Sequence, residues 1–211
     1  LNGMFAIALY EAKFHRLILA RDRLGIKPLY WTKTRDGSVI FASEIKALFA
    51  SGLVEKQLNK NIFSSYLTHG FVPAPETLFL GVNKLPPGHL MTVDSYGKIE
   101  IDCYWKPQPS GGIGSSQTEI AEHLTSLITD SVKLQLKSDV PIGALLSGGI
   151  DSGLLVAIAS KQMTKALRTF TVSFEGSKFD EAPIAKIVSD YYATEHTELR
   201  VSTDDIIMRL P

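Results

Sequence analysis

The chain is poor in the features that mark several large protein classes. It has one cysteine, Cys103, so no intrachain disulfide can form, and it holds neither a CxxC pair nor a Cys/His group with zinc spacing. A disulfide-stapled secreted scaffold and a zinc module are excluded, and a cytoplasmic location is the expectation. Surplus charge is missing too: Lys plus Arg and Asp plus Glu both number 22. That balance gives no electrostatic case for binding nucleic acid or an anionic membrane. No apolar run reaches the roughly 18 residues of a membrane span, and the first residues lack the positive lead-in of a signal peptide. No internal repeat is visible. The histidines His15, His69, His89, His123 and His196 are scattered without metal-ligand spacing.

What is present is an ordinary globular balance, 211 residues with 45% apolar and 21% charged, enough for one large domain or two modest ones. Both ends read as cut. The chain enters the apolar run "MFAIALY" at once and stops on "DDIIMRLP", where an apolar helical pattern has just begun. An internal fragment of a longer protein is expected.

Residues 106–117, "KPQPSGGIGSSQ", carry two prolines, three glycines and three serines without apolar period, and read as a linker. Upstream, over 1–105, "MFAIALY", "RLILAR", "PLYWTK", "SVIFAS", "HLMTVD" and "KIEIDCYW" predict strands, separated by turn signals such as Arg35-Asp36-Gly37 and Ser95-Tyr96-Gly97. Two short helices are expected, one capped by Ser43, the other capped by Asn59 and stopped by Gly70. "RDRLGIKPLY" crowds Arg21, Asp22, Arg23 and Lys27 together and predicts a structural turn around Gly25 and Pro28 with Arg21 and Asp22 paired. Cys103 falls inside a strand with no histidine beside it and is expected to be a buried core thiol.

Downstream, over 118–211, the pattern changes. Ile120, Leu124, Leu127, Ile128 and Val132 recur at helical spacing and predict an amphipathic helix over 117–137. Then come a strand "IGALL", a helix over 151–162, a strand "RTFTVSF", a helix over 180–193 and a strand "TELRV". This alternation predicts a parallel sheet with right-handed crossovers. Ligands of such sheets bind beyond the carboxyl ends of the strands.

At one such end stands "LLSGGIDSGLL", residues 145–155. Gly148 and Gly149 remove Cβ atoms at a sharp turn, permit positive φ and let an anion approach the backbone N–H groups. The helix that follows turns its positive end to the same point. Ser147 and Ser152 add hydroxyl donors. Asp151 either caps the helix or shares a divalent cation with a bound phosphate. The loop lacks the lysine of GxxxxGK[ST], and it lacks GxGxxG, so neither the usual P-loop nor a dinucleotide fingerprint is present.

"SGGIDS" resembles the SGGxDS signature of the PP-loop ATP pyrophosphatases, which cut ATP between its α and β phosphates. "LNGMFAIALY", "LILARDRLGIKPLYW" and "VIFASEIKAL" resemble the later half of a class II, N-terminal-nucleophile glutaminase domain. "FVPAPETLFLGVNKLPPGHLMTV" and the order of the segments complete a resemblance, over essentially the whole chain, to the glutamine-hydrolysing asparagine synthetase family.

The resemblance implies an α+β first part over 1–105, the latter portion of an Ntn-hydrolase αββα glutaminase fold. After the linker, 118–211 would begin an α/β PP-loop domain, Rossmann-like with a parallel sheet. It implies that Ser147, Gly148, Gly149, Asp151 and Ser152 hold ATP phosphates and that Leu145 and Val172 line the nucleoside pocket, although an apolar strand residue such as Val172 equally suits a core. It implies Mg2+ with the pyrophosphate near Asp151. Asn2 stands where the family places an acidic residue for the glutamine α-amino group. The glutaminase nucleophile, an N-terminal cysteine, is not in this chain, which alone is expected to be inactive. The implied partners are glutamine, aspartate and ATP, with a homodimer admitted and neither nucleic acid nor membrane. The implied reaction is aspartate activation to an acyl-adenylate that ammonia attacks, releasing AMP and pyrophosphate. Two alternatives stay open: a relative with another acceptor, such as a β-lactam synthetase, peptide cyclase or sugar amidotransferase, and a non-catalytic nucleotide-binding relative.

Overall fold

A computed structural model describes residues 1–109, 116–174, 180–202, 204, 207 and 208. The chain divides into two compact units, Leu1–Pro109 and Ser110–Pro211. Residues 110–115 of the expected linker lie outside the described residues.

In the first unit, β1 (Ala6–Glu11) and β2 (Arg16–Arg21) form a hairpin that β6 (His89–Val93) and β7 (Ile99–Cys103) extend into an antiparallel sheet of order β1-β2-β6-β7. A second antiparallel sheet, order β4-β3-β5, contains β3 (Tyr30–Lys33), β4 (Val39–Ala42) and β5 (Asn83–Lys84). The register sets Leu19 opposite both Ala8 and Met91, so these residues share a face. Leu19, Leu85 and Met91 are fully buried and Leu29 and Val93 nearly so, and Trp31 and Val39 pack against them from the second sheet. Each buried leucine contributes about 1.5–3 kcal/mol relative to exposure.

Four local expectations for this unit change. The helix α1 (Ile45–Ala50) starts later than Ser43 could cap: Glu44 holds the cap position and makes no side-chain cap bond. Asn59 does cap, but it caps a 3₁₀ turn, Lys60–Ile62, by accepting from the Asn61 N–H. The helix α2 (Phe63–His69) follows directly and ends where Gly70 takes φ 73°. Cys103 is exposed, not buried, because β7 is an edge strand; its thiol donates to the Trp105 carbonyl at 3.3 Å.

Arg21 and Asp22 form no salt bridge: Arg21 ends β2, Asp22 is the first residue of the turn, and each side chain is taken up by backbone groups. The Arg21 guanidinium donates to the carbonyls of Lys27 (2.8 Å), Leu85 (2.7 Å) and Gly25 (2.7 Å). The Asp22 carboxylate accepts from the N–H groups of Phe5, Leu24, Ile26 and Lys27. Gly25 closes this turn at φ 67°, and a Cβ there would come within 2.8 Å of Pro87.

In the second unit, α3 (Gln117–Gln135) precedes β8 (Gly143–Leu145), α4 (Ile150–Gln162), β9 (Arg168–Phe174), α5 (Ala182–Tyr191) and β10 (Glu195–Val201). The strands form a parallel sheet of order β10-β9-β8. Ser116 opens α3 with a reciprocal capping box: its hydroxyl accepts from the Glu119 N–H, and the Glu119 carboxylate accepts from the Ser116 N–H. The core joins Val132, Leu146, Val156, Ile158, Ala159, Leu167 and Ala185. Of the apolar stripe expected on α3, Val132 is buried, whereas Ile120, Leu124 and Leu127 are exposed.

The strand β9 inverts the usual pattern. Thr169, Thr171 and Ser173 are buried, while Phe170, Val172 and Phe174 are exposed. The buried hydroxyls are satisfied: Thr169 meets Thr194 at 2.8 Å and His196 Nδ1 at 2.9 Å, and Ser173 donates to Glu198 at 3.0 Å. Among the described residues, no helix is long and apolar enough to cross a membrane.

Candidate functional site

The loop between β8 and α4 begins at Ser147, one residue after the buried Leu146. The Leu146 N–H donates to the Phe170 carbonyl at 2.8 Å, and the Leu146 carbonyl accepts from the Thr171 hydroxyl at 2.5 Å. The chain leaves the sheet there and turns into α4. Within the loop the Ser147 and Ser152 hydroxyls lie 2.8 Å apart, the Ser147 N–H donates to Ser152 Oγ at 3.2 Å, and the Gly149 N–H donates to Ser147 Oγ at 3.2 Å. The two serines tie the entry of the loop to the first turn of the helix.

The glycines act through size. Gly149 caps α4 at φ −79° and ψ 154°, and Gly148 also lies outside the left-handed region, so positive φ is not used at either residue. A Cβ on Gly148 would come within 3.2 Å of the Cβ atoms of both Glu181 and Ile184, so the start of α5 packs directly on the loop. Among the described residues, a Cβ on Gly149 would meet only Ser147 Oγ, at 3.2 Å. Gly149 is exposed and leaves the backbone open to an approaching group.

The N–H groups of Ile150, Asp151 and Ser152 in the first turn of α4 have no carbonyl one turn behind them in the helix. Together with the helix dipole they make this point favourable for an anion. Asp151 is exposed in that turn and does not cap the helix, since Gly149 holds the cap. Among the described residues no group of three His, Cys, Asp or Glu side chains gathers as a metal cage. One exposed carboxylate beside an anion loop suits Mg2+, which takes one or two carboxylates and completes its shell with water and phosphate oxygens.

Leu145 and Val172 share one face of the sheet, because Leu145 pairs with Phe170, two residues before Val172 on β9. Leu145 is 81% and Val172 45% exposed, so Val172 is not core. Phe174 and Leu199 extend this uncovered apolar face, and the Phe170 ring lies over Gly143, where a Cβ would come within 2.6 Å of it.

Asn2 belongs to the first unit and is exposed ahead of β1. The segment after it is fastened by a two-way contact: the Asp22 N–H donates to the Phe5 carbonyl at 2.9 Å and the Phe5 N–H donates to the Asp22 carboxylate at 3.3 Å. Burial pushes the Asp22 carboxyl upward, but the backbone donors Lys27, Ile26, Phe5 and Leu24 outweigh it and hold the group below its ordinary value.

Three participants escaped the motif: Thr171 under the loop, and Glu181 and Ile184 beside Gly148. The one legible signal was the Thr-x-Thr-x-Ser alternation in "RTFTVSF", an unusual row of hydroxyls on a strand.

Residues 1–105 match the glutamine amidotransferase domain family and residues 123–211 the asparagine synthase family. The chain is 36% identical over 211 residues to asparagine synthetase [glutamine-hydrolyzing] 1 of Bacillus subtilis, covering all of this chain and 33% of that protein. It is 36% identical over 201 residues to a putative asparagine synthetase [glutamine-hydrolyzing] 2 of Methanocaldococcus jannaschii, covering 92% of this chain and 38% of the relative. A protein of Gibberella zeae named amidase chry2 is 31% identical over 226 residues, 99% of this chain and 33% of that one. The chain thus spans about a third of the length of the curated relatives it matches. Its first unit belongs to the glutamine amidotransferase domain family and its second to the asparagine synthase family.

Proposed function

We propose that the chain is part of a glutamine-hydrolysing amidotransferase that uses ATP to activate the side-chain carboxylate of aspartate as an acyl-adenylate, which ammonia converts to asparagine. The observation that carries this is the loop 147–152 at the carboxyl end of a parallel sheet, with two serine hydroxyls, an exposed Gly149 and the first turn of α4 converging on one point. The family matches of the two units support the same pairing of activities. In this assignment the second unit is a PP-loop fold and the first the later part of an Ntn-hydrolase glutaminase.

Ser147, Gly148, Gly149 and Ser152 hold the β- and γ-phosphates, and the amides of the first turn of α4 stabilise the departing pyrophosphate. Leu145 and Val172 offer an apolar surface to the nucleoside. Asp151 holds Mg2+, which supplies charge neutralisation at the pyrophosphate. Asn2 accepts a hydrogen bond from the glutamine α-ammonium through its amide oxygen. The single cysteine is consistent with a cytoplasmic site of action.

The test is product identity. The full-length protein given ATP, Mg2+, aspartate and glutamine should release AMP and pyrophosphate in step with asparagine, because the loop has no lysine to steady a transferring γ-phosphate. ADP and orthophosphate as the stoichiometric products would refute the assignment. AMP formed with another acceptor, and not with aspartate, would retain the activation chemistry and replace the acceptor.

A further inference from the structure

We infer that Thr171 is a positioning residue for the phosphate loop, acting through the Leu146–Ser147 peptide; this rests on the ATP-binding assignment above. That peptide joins the sheet to the loop, and side-chain hydroxyls hold both of its polar atoms. Its carbonyl accepts from Thr171 Oγ1 at 2.5 Å, and its N–H donates to Ser152 Oγ at 3.2 Å. The two hydroxyls bond opposite edges of one planar peptide group and fix its rotation. Ser152 belongs to the motif; Thr171 comes from the next strand, 25 residues beyond the carbonyl it holds.

The plane matters because everything after it inherits its orientation. Ser147 Oγ, which accepts from the Gly149 N–H and contacts Ser152, is on the residue immediately following. The bond is also secluded: Leu146 is 2% and Thr171 3% exposed, so water cannot take over if the hydroxyl is lost. Removing the hydroxyl while keeping the shape, as in Thr171→Val, leaves the Leu146 carbonyl without its Thr171 donor and the peptide held by a side chain at its N–H alone, so its rotation is less restrained. Thr171 is directed to the Leu146 carbonyl beneath the loop, so its effect reaches bound phosphate through the donors of the loop.

The experiment uses the full-length protein with Thr171→Val and Thr171→Ser, reading the KM for ATP, inhibition by pyrophosphate, the KM for aspartate and glutaminase turnover. Thr171→Val should raise the KM for ATP and the inhibition constant for pyrophosphate together by about tenfold, the effect of one lost secluded hydrogen bond. Aspartate KM and glutaminase turnover should stay within twofold. Thr171→Ser, which retains the donor, should lie within threefold of the parent protein for both phosphate ligands.

A folded Thr171→Val protein with unchanged ATP and pyrophosphate constants would overturn the inference. So would equal losses in all four readings, or a Thr171→Ser protein as impaired as Thr171→Val. If Thr171→Val does not fold, Thr171→Ser and Thr171→Ala decide: ATP constants preserved in the first and lost in the second support the hydroxyl, and equal constants overturn it. A parent protein that forms ADP in place of AMP would instead refute the underlying assignment.

Discussion

Asp22 shows how one side chain organises a turn whose composition suggests surface charge pairing. Its carboxylate is 1% exposed and gathers N–H donors from both sides of the turn and from the segment ahead of β1. An asparagine at this position keeps one neutral acceptor and turns an NH2 group toward those donors. Asp22→Asn should therefore lose about 1.5–3 kcal/mol, the size of a hydrogen bond to a charged group, measurable by urea unfolding. The pH dependence has a definite sign. Because the folded pKa is depressed, the stabilisation is present above the unfolded carboxyl value of about 3.9 and is lost as pH falls through the lower folded value. Acid titration of the urea midpoint should show a decline below about pH 4 that Asp22→Asn flattens. The turn itself was legible in Gly25 and Pro28, but the destinations of Arg21 and Asp22 were not, because Leu85 is 64 residues from Arg21 and Phe5 is 17 from Asp22.

At the scale of elements, periodicity revealed most strands and helices, and long-range contacts decided the rest. The two-residue β5 had no pattern to read and exists through its pairing with β3. On β9 the alternation was visible, yet which half faced inward depended on polar partners elsewhere: the Leu146 carbonyl, Thr194, His196 and Glu198. The glycines of the loop were legible as glycines, but the role of Gly148 was not, since it depends on where α5 begins. Gly148→Ala should destabilise the second unit by about 1–3 kcal/mol, as Glu181 and Ile184 must move. Gly149→Ala, at a backbone angle alanine adopts freely, should remain within about 1 kcal/mol of the parent protein. Equal losses in thermal unfolding of the two variants would show that α5 does not constrain the loop. A simpler local device governs α3: Ser116→Ala removes half of a reciprocal cap and should cost about 1 kcal/mol in the same measurement.

For the molecule as a whole, the legible feature was order: a β-rich unit, then a strand, loop and helix carrying SGGIDS, then further strand and helix alternation. Neither Asn2 nor the loop could be judged from the other, because they belong to different compact units. That division yields a kinetic expectation under the proposed function. Glutamine is handled by the first unit and ATP by the second, so changes at Asp151 and Asn2 should affect separate observables. Asp151→Ala in the full-length protein should abolish ATP-dependent product formation while leaving glutamine hydrolysis within twofold of the parent rate. Asn2→Asp acts at the other end. Its amide oxygen gives the substrate ammonium a neutral acceptor, and a carboxylate adds the charge that makes such a bond roughly twice as strong. The KM for glutamine should fall several-fold. With free ammonia as nitrogen donor the first unit is bypassed, and the ammonia KM should not change. Initial-rate measurements with each nitrogen donor, at saturating ATP and aspartate, separate these outcomes. An Asn2→Asp protein with unaltered glutamine kinetics would remove Asn2 from the glutamine site and leave the loop assignment intact.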